Sequence, residues 1–451
     1  PSLDGRGLRG GWFEGEIMIA IIGAGLAGLS TAYHLKKDYA VYERENEVGG
    51  LCKSYTIDGF TFDYTGHLLH FRNKEIKRLV TRLLNNRLIE IKRRAYIFSK
   101  NIYTEYPFQA NTFGLPKEVV KECLMGFIEA FLRQGQGSRV KGQKKKESFE
   151  DWIYKTFGKG IAKHFMIPFN EKLWKTPLNR ITSDWVSWLV PMPKIEDVVS
   201  GAIGIGNKDI GYNPVFYYPV DGGIGLLPKA FLPHIKNLNL GMKISKISLK
   251  KKTLTFTNGN TAEYDYLVST MPLPELIRIC DDIPSNIRLL AKGLKYVSVY
   301  DINLGIRREK ISDKHWIYFP EKEHPFYRIG FPMNFSKSLA PEGCSSMYVE
   351  ISHKDGREIP KERLINDAVN GLIKAGILRK DDEIAVKDVI DIRYAYTIYD
   401  RHRQKAVPVI QKYLGEKGIF PIGRYGAWEH TSMEDAIYQG KVTAQRLNKK
   451  V

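Results

Sequence analysis

Cysteine is scarce in this 451-residue sequence, and long apolar runs are missing. The four cysteines, at positions 52, 123, 280 and 344, lie far apart and form no Cys-x-x-Cys pair. This argues against a zinc site built on paired cysteines and against a disulfide framework. No apolar stretch reaches the roughly 18 residues that suggest a membrane-spanning helix. We therefore predict a soluble globular protein with no metal site and no transmembrane segment, in a reducing cytoplasm.

Acidic residues are too few to balance the basic ones. Lys and Arg number 69 against 50 Asp and Glu, which gives a net charge of +19. The lysine clusters, at 144–146, 250–252 and 449–450, are short. No basic stripe alternates with aromatic residues, so nucleic acid is not an expected partner. Two interpretations stay open, namely solvated lysine-rich loops or electrostatic steering of an anionic substrate such as a nucleotide diphosphate.

The length predicts two or three domains. Met18 opens the apolar strand MIAII and is interpreted as the natural start. The preceding residues 1–17 are Gly-rich and aperiodic, and they are expected to be a poorly ordered or non-native extension.

Regular structure is predicted first as a strand, a tight turn, a helix and a second strand over residues 18–45. A helical region follows from Pro116 to about Leu189, interrupted by a polar loop at 133–146. The Gly- and Pro-rich stretch 191–214 is predicted to be a long loop that closes over a substrate.

The later part of the chain predicts mostly strands. Residues 253–270 predict a hairpin that turns at Asn258-Gly259, followed by a buried strand. The segment after Ile419 predicts a strand, a Gly-rich turn and a helix.

A Gly-x-Gly-x-x-Gly run lies in the first turn, at Gly23, Gly25 and Gly28. Gly23 permits the tight turn, Gly25 lets a pyrophosphate approach the backbone, and Gly28 lets the helix pack on the strand. The positive end of the helix then faces the phosphates. Glu43, twenty residues after Gly23, can accept hydrogen bonds from ribose hydroxyls. The pattern predicts a bound dinucleotide.

Four further segments bear on the kind of dinucleotide, namely ERENEVGG at 43–50, DGGIGLLPKAF at 221–231, YDYLVSTMP at 264–272 and GIFPIGRYGAW at 418–428. Together they resemble the FAD-binding half of the amine-oxidase and UDP-galactopyranose mutase flavoproteins. By this resemblance Arg424 neutralises the pyrophosphate, and the helix start near Ser432 points amides at the flavin ring. The cofactor-binding residues are then predicted to be Gly23, Gly25, Ala27, Gly28, Glu43, Arg44, Gly50, Leu51, Gly66, His67, Gly423, Arg424, Ser432, Met433 and Glu434.

Other segments resemble the UDP-galactopyranose mutases themselves, most closely the eukaryotic-type branch, and they occur in that branch's order. FDYTGHLLHFRN at 62–73 resembles the histidine loop of these enzymes, with His67 against the flavin. The remaining segments span 103–118, 148–174, 211–223, 312–328 and 394–403. The resemblance covers nearly the whole chain after Met18.

The resemblance implies an α/β fold with a Rossmann-like FAD-binding domain, an inserted helical domain and an antiparallel β-sheet substrate domain. The FAD-binding domain is predicted at 18–95, 215–280 and 404–451. The helical substrate or lid domain is predicted at 110–214, and the β-sheet domain at 96–109 and 281–403.

The implied reaction is an isomerisation of UDP-galactopyranose and UDP-galactofuranose, through a covalent adduct of reduced flavin N5 with the anomeric carbon. NAD(P)H is the expected transient reductant, and a homo-oligomer is an open expectation. The predicted catalytic residues are His67, Arg328, Tyr318 and Tyr396. The predicted substrate-binding residues are Tyr106, Phe108, Gln109, Phe165, Asn170, Trp174, Asn213, Tyr318, Arg328, Tyr396 and His430.

Within that set, Tyr106 and Phe165 are predicted to sandwich a uracil ring whose polar edge Gln109 contacts. Arg328 is predicted to bind the diphosphate, because a guanidinium matches phosphate oxygens with two parallel hydrogen bonds. Each aromatic residue has an alternative interpretation as core, and Arg328 has one as an ordinary ion pair.

The sequence departs from the mutase pattern at the sugar-diphosphate end. Leu189 stands where the family carries an arginine, and Arg180 and Arg393 are the candidate substitutes. His430 lies where the eukaryotic-type branch places a phosphate-binding tyrosine, and its charge is expected to depend on pH. Thr65 replaces a glycine before Gly66.

Two other functions stay open. A net oxidoreductase, amine-oxidase-like or desaturase-like, would share the FAD motifs without needing the uridine residues. A non-catalytic sugar-nucleotide-binding flavoprotein would bind ligand without turnover.

Overall fold

A computed structural model describes residues 17–135, 147–186, 190–205, 214–354 and 359–450. The strands are β1 Ile19–Ile22, β2 Tyr39–Tyr42, β3 Ser54–Ile57, β4 Phe60–Asp63, β5 Leu88–Lys92, β6 Ala95–Ser99, β7 Ile102–Glu105, β8 Val215–Pro219, β9 Leu238–Asn239, β10 Ile244–Ser248, β11 Thr253–Phe256, β12 Thr261–Glu263, β13 Tyr266–Ser269, β14 Tyr296–Ile306, β15 Trp316–Tyr318, β16 Arg328–Gly330, β17 Ser345–His353, β18 Ile384–Thr397 and β19 Ile419–Pro421.

The α-helices are α1 Leu26–His34, α2 Lys74–Leu83, α3 Lys117–Gly135, α4 Phe149–Ile161, α5 Ile167–Trp174, α6 Ile195–Ile203, α7 Leu226–Lys229, α8 Leu273–Ile279, α9 Ser285–Lys292, α10 Lys361–Lys374, α11 Arg401–Glu416, α12 Gly423–Gly426 and α13 Met433–Lys450. A π-helical segment, Ala162–Met166, joins α4 to α5.

A parallel sheet with the order β19-β13-β1-β2-β9 forms the nucleotide-binding part. All four residues of β1 are buried, as expected for a strand covered on both faces. One face packs on α1 and α13, and the other on a core that includes α8, α9 and α11. Helices on both faces of a parallel sheet confirm the predicted Rossmann-like domain.

A second large sheet has seven strands in the order β18-β14-β17-β16-β15-β6-β7. The predicted sheet is confirmed, with one difference: β15 pairs with β6 in parallel, and the other neighbours are antiparallel. The register places Arg328 opposite both Tyr318 and Glu350. It also places Asp301 opposite Glu350.

The predicted helical region contains α3, α4 and α5. Helices α3 and α4 approach each other closely. A Cβ placed on Gly126 would lie only 2.9 Å from the Gly160 amide nitrogen. The prediction of a long loop over 191–214 is wrong in part, since α6 occupies Ile195–Ile203. The remainder of that stretch, from 206 to 213, lies outside the described residues.

Other local predictions are confirmed. Strands β11 and β12 form the hairpin around Asn258-Gly259, and β13 follows as a buried strand. The strands of the parallel sheet fall in the segments assigned to FAD binding, although the domain boundaries themselves stay predictions. Among the described residues, no helix combines the length and the apolar character that crossing a bilayer requires.

Candidate active site

The turn between β1 and α1 has the form that a nucleotide needs. Gly23 has φ +94°, and a Cβ there would collide with the Thr270 hydroxyl. A Cβ on Gly28 would collide with the Gly23 carbonyl oxygen. A Cβ on Gly25 would meet only the Gly49 carbonyl oxygen, at 4.0 Å. Two of the glycines are thus required by packing, and Gly25 keeps a space beside the start of α1 open.

A second Gly pair closes this space from the other side. Gly25 and Gly49 form a parallel β-bridge, and the Gly49 N–H donates to the Ala24 carbonyl at 2.9 Å. A Cβ on Gly50 would lie 3.6 Å from the Gly25 Cα. Ala27 is buried, and Leu51 is half-buried.

Glu43 directly follows β2 and is buried. Its Oε2 accepts the Ala24 N–H at 2.7 Å, and its Oε1 accepts the Glu45 N–H at 3.0 Å. The two backbone donors fix the carboxylate and leave lone pairs for ribose hydroxyls. Arg44 lies at the surface, with its side chain 70% exposed and paired to Glu45. The open cradle and the oriented carboxylate fit the adenosine diphosphate part of FAD.

Arg424, predicted for the pyrophosphate, has protein partners in the structure. Its guanidinium donates to the Thr431 carbonyl at 2.9 Å and to the Ala395 carbonyl at 3.1 Å, and it lies 3.3 Å from His430 Nδ1. These contacts hold the charge between β18 and the loop before α13. The preceding Gly423 donates its N–H to Gln439 at 2.7 Å.

The start of α13 is capped from within. The Ser432 hydroxyl accepts the Asp435 N–H, and the Asp435 carboxylate accepts from Ser432. The Glu434 carboxylate is buried and accepts the N–H groups of Arg72 and Asn73 at 2.7 to 3.0 Å. Glu434 therefore ties α13 to the segment before α2. The amides of Met433 and Glu434 belong to the first turn, where a helix has no internal acceptors for them.

His67 lies in the turn after β4. Its Nδ1 is buried without a hydrogen-bond partner among the described residues. Burial and the charge of Arg424 lower the pKa of His67 to about 4, and Arg328 adds to the effect. The imidazole is therefore neutral at physiological pH, with a polar atom ready for a ligand.

Arg328 is half of a buried ion pair. Its Nε donates to Glu350 Oε2 and its Nη2 to Glu350 Oε1, both at 2.6 Å. The Arg328 side chain is 21% exposed, whereas that of Glu350 is 1% exposed. Nη1 is not used in this pair, so Arg328 can bind an oxyanion while it stays paired.

Tyrosines surround Arg328. Within the described chain the Tyr318 hydroxyl makes no hydrogen bond, and Tyr318 is the cross-strand neighbour of Arg328. The Tyr396 hydroxyl lies 3.3 Å from that of Tyr327. The Tyr396 ring stacks on His430, and Arg424 lies 5.4 Å from the centre of the same ring. The structure thus brings His67, Arg328, Tyr396 and Arg424 into one neighbourhood.

The predicted uridine residues lie next to this neighbourhood but contact the protein. Phe165 stacks nearly parallel on Phe108 at 4.9 Å and on Phe169 at 5.3 Å. Tyr106 packs 5.5 Å from Tyr318, and Arg93 lies over the Tyr106 ring at 4.8 Å. The uracil sandwich stays a prediction, and the structure gives Phe165 a packing role as well.

The predicted amide contacts are also made within the protein. Gln109 is buried and donates to the Pro191 carbonyl at 2.7 Å. Asn170 donates to the Met166 carbonyl at 2.7 Å and accepts from the Trp174 indole at 3.1 Å. A nucleotide would have to share or displace these bonds.

Several predictions at the sugar-diphosphate end differ from the structure or concern residues outside its described part. Arg393 is directed at the surface, where it pairs with Glu275 and packs on Tyr394. Arg180 is exposed on the helical part. Burial and Arg424 hold the pKa of His430 well below its usual range, so the imidazole is neutral at neutral pH and the pH dependence of its charge is displaced to more acidic pH. Asn213 and Leu189 lie outside the described residues.

Sequence reasoning missed the buried carboxylates Asp301 and Glu350. Each is a single acid in an otherwise buried strand, YVSVYDINLGI for Asp301 and SSMYVEISH for Glu350. An acid in such a strand rarely goes without a partner, and that was the available signal. It also missed Tyr327 and Tyr348, whose flanking apolar residues make them look like core.

Comparisons with known proteins agree with this geometry. The family model described as flavin containing amine oxidoreductase matches residues 26–448. The crystal structure of a reduced UDP-galactopyranose mutase superposes with a TM-score of 0.88 at 27% identity, covering 96% of this chain and 94% of that one.

Several curated relatives carry oxidoreductase names. Prenylcysteine oxidase 1 of Mus musculus is 39% identical over 71 residues, so the matched part of this chain spans only 14% of that enzyme. The 1-hydroxycarotenoid 3,4-desaturase of Flavobacterium sp. (strain P99-3) is 22% identical over 422 residues, 84% of each chain. The match over residues 26–448 covers nearly the whole chain, which therefore belongs to the flavin-containing amine oxidoreductase family.

Proposed function

We propose that the protein is a flavin-dependent UDP-sugar mutase that interconverts pyranose and furanose forms, with UDP-galactose as the expected substrate. The observation that carries the proposal is the superposition on reduced UDP-galactopyranose mutase over 96% of the chain with a TM-score of 0.88. The product would be the galactofuranose donor for cell-surface glycans.

When bound, reduced flavin supplies a nucleophilic nitrogen, N5, for the anomeric carbon of the sugar. The side chains of the protein have the complementary task of holding UDP as it leaves and returns. Arg328 would bind the diphosphate through Nη1, while Glu350 keeps the guanidinium in place. The hydroxyls of Tyr318 and Tyr396 would donate to the same oxygens. Such donors are most effective when fixed before charge develops, and the buried ion pair provides that rigidity.

His67 would orient the flavin through a neutral imidazole. Burial lowers the pKa of His67 to about 4, and Arg424 and Arg328, which already supply positive charge, add to the shift. A neutral ring can donate or accept one hydrogen bond without adding charge beside a reduced cofactor. The uridine would lie against Tyr106 and Phe165, and NAD(P)H would act as a transient reductant.

The alternative is a net oxidoreductase, which the names of the oxidase and desaturase relatives favour. That chemistry needs the nucleotide cradle but gives no reason for Arg328, Tyr318 and Tyr396 to converge beside His67.

Turnover of UDP-galactofuranose under anaerobic conditions tests the proposal. Dithionite-reduced and oxidised protein are compared, and the products are separated by chromatography. We expect UDP-galactopyranose only from the reduced protein. Absence of turnover in both states, together with flavin reduction by an amine or another oxidisable compound, would replace the mutase by the oxidoreductase.

A further inference from the structure

Two fully buried carboxylates lie beneath the candidate site, directly opposite each other on adjacent strands. Asp301 on β14 is directly opposite Glu350 on β17, and both are 0% exposed. Each binds a different part of the site. Glu350 holds the guanidinium of Arg328, and Asp301 Oδ2 accepts the backbone N–H of Thr65 at 2.8 Å. The His67 turn and Arg328 are therefore fastened to one pair of acids.

The turn that Asp301 holds is strained. Thr65 has φ +67°, in the left-handed region that a β-branched residue rarely adopts. The Thr65 carbonyl accepts the His67 N–H at 3.1 Å, so the conformation of Thr65 sets the position of the His67 backbone. Strained residues persist only when the surroundings compensate for them. The bond to Asp301 is the long-range contact that fixes the Thr65 amide.

Tyr348 presses on the same turn from the sheet. A Cβ on Gly66 would collide with the Tyr348 hydroxyl and lie 2.9 Å from the ring carbon that bears it. The Tyr348 side chain, which projects from β17, thus packs directly against the backbone of the turn at Gly66.

A chain of side-chain hydrogen bonds fixes the Asp301 carboxyl. Asn303 Nδ2 donates to Asp301 Oδ2 at 3.1 Å and to the Tyr55 hydroxyl at 3.0 Å. The Tyr55 hydroxyl donates to Asp388 at 2.8 Å. Burial and the charge of Glu350 raise the pKa of Asp301 well above its usual range, with the Thr65 and Asn303 bonds and Arg328 opposing the shift. As an acceptor for Thr65, the carboxyl does not need a charge.

We propose that Asp301 is a positioning residue that locks the Thr65–His67 turn onto β14 and so sets the place of His67 relative to Arg328. The effect on turnover rests on the proposed function. The effect on the turn itself does not, because it follows from the contacts of Asp301 alone.

The test compares Asp301→Ala, which removes the acceptor, with Asp301→Asn, which keeps a neutral acceptor oxygen of the same reach. Amide hydrogen exchange of the segment 62–70 reports the turn directly and needs no turnover. We expect exchange there to accelerate about tenfold or more in Asp301→Ala, since a lost protecting bond lowers the local opening energy. Asp301→Asn is expected to stay within about threefold of the parent protein.

Flavin and kinetic measurements extend the test. In Asp301→Ala we expect a shifted absorption spectrum and reduction potential of the bound flavin. We also expect kcat to fall by about tenfold to a hundredfold with little change in KM, because misplacement by about 1 Å costs that much. Asp301→Asn should restore all of these signals. The matched controls are Asp391→Ala and Asp391→Asn, at an acid whose side chain is 54% exposed on neighbouring β18.

Thr65→Gly provides a second, independent comparison. Glycine adopts φ +67° freely, so adding Thr65→Gly to Asp301→Ala should return part of the lost protection. If Asp301→Ala does not fold cooperatively, Asp301→Val is measured in its place. Normal exchange in 62–70 and a normal flavin spectrum in a folded acceptor-free variant would overturn the proposal, as would equal shifts in Asp301→Asn. If the parent protein does not turn over UDP-galactofuranose, the proposed function fails while the exchange result still decides the role of Asp301.

Discussion

Arg328 and Glu350 face each other on adjacent strands, and two contacts of 2.6 Å join the guanidinium to the carboxylate. Sequence alone left open whether Arg328 is a ligand-binding residue or one half of an ion pair. The geometry allows both, because the pair uses Nε and Nη2 and leaves Nη1. The carboxylate supplies the fixed orientation that a phosphate-binding arginine needs.

Removing the carboxylate should therefore cost stability as well as function. Glu350→Ala leaves a buried, unpaired guanidinium, and we expect the free energy of unfolding to fall by about 3–5 kcal/mol. Denaturant titration measures this free energy of unfolding. The control is Glu383→Ala, which removes the carboxylate of an ion pair with Arg307 whose side chains are 69% and 59% exposed. That variant should change stability by no more than about 1 kcal/mol. Equal losses in the two variants would contradict a structural role for the buried pair.

The nucleotide cradle gives a prediction that separates binding from folding. Gly25 has ordinary extended backbone angles and no neighbour within 4 Å of a Cβ other than the Gly49 carbonyl oxygen at 4.0 Å. We expect Gly25→Ala to fold with a stability within about 1 kcal/mol of the parent and to retain about tenfold less flavin, which corresponds to 1.4 kcal/mol of binding energy.

Gly28→Ala should behave differently, because its Cβ would collide with the Gly23 carbonyl. We expect a loss of stability of about 1–3 kcal/mol from the forced backbone shift. Flavin content by absorbance and stability by thermal unfolding are measured for both variants. Full flavin occupancy in Gly25→Ala would mean that the pyrophosphate does not bind next to Gly25.

The packing of α13 on α1 yields a matched pair of helical glycines. A Cβ on Gly440 would collide with the Ala27 carbonyl and lie 2.8 Å from the Ser30 Cβ, whereas one on Gly415 in α11 would have nothing within 4 Å. Alanine gains about 1 kcal/mol of helix propensity at either position. We therefore expect Gly415→Ala to be neutral or stabilising and Gly440→Ala to lose about 1–2 kcal/mol from overpacking. A stabilising Gly440→Ala would show that the two helices are not in close contact.

Local features of this protein were predictable from sequence. The cradle at Gly23, Gly25 and Gly28 is made by residues a few positions apart, so their spacing describes the turn directly. The hairpin at Asn258-Gly259 was predictable for the same reason. Strands β1 and β2 and helix α1 follow from apolar runs and the helical period, whereas the Rossmann-like sheet was implied by the family resemblance.

Long-range pairings were not predictable in this way. Glu350 comes 22 residues after Arg328, and their contact depends on the register of β16 and β17. Thr65 and Asp301 lie 236 residues apart. Phe165 was predicted to stack on a ligand because it is a flat aromatic residue. The structure shows that its ring stacks on those of Phe108 and Phe169. A side chain's type suggests what it can bind, but burial decides which partner it has.

The stability of the folded protein should depend on pH through His67. Burial and nearby arginines lower the pKa of His67 from 6.5 to about 4. The unfolded chain therefore binds a proton at His67 at a higher pH than the folded protein does. The stability associated with this group is fully present above pH 6.5 and is lost as the pH falls toward 4. The shift corresponds to about 3 kcal/mol, at 1.36 kcal/mol per pKa unit.

The free energy of unfolding of the flavin-bound protein is measured by denaturant titration between pH 7.5 and pH 4.5 for the parent and for His67→Gln, which cannot titrate. We expect the free energy of unfolding to fall with decreasing pH more steeply in the parent than in His67→Gln. The difference between the two slopes should reach at most the value for the uptake of one proton. The exposed His234→Gln serves as control and should run parallel to the parent. His70 and His315, whose pKa values are also lowered by burial, remain in every variant and cancel in the comparison. Parallel curves for the parent and His67→Gln would mean that His67 takes up its proton in the folded protein as readily as in the unfolded chain, and that the imidazole beside Arg424 is not held neutral.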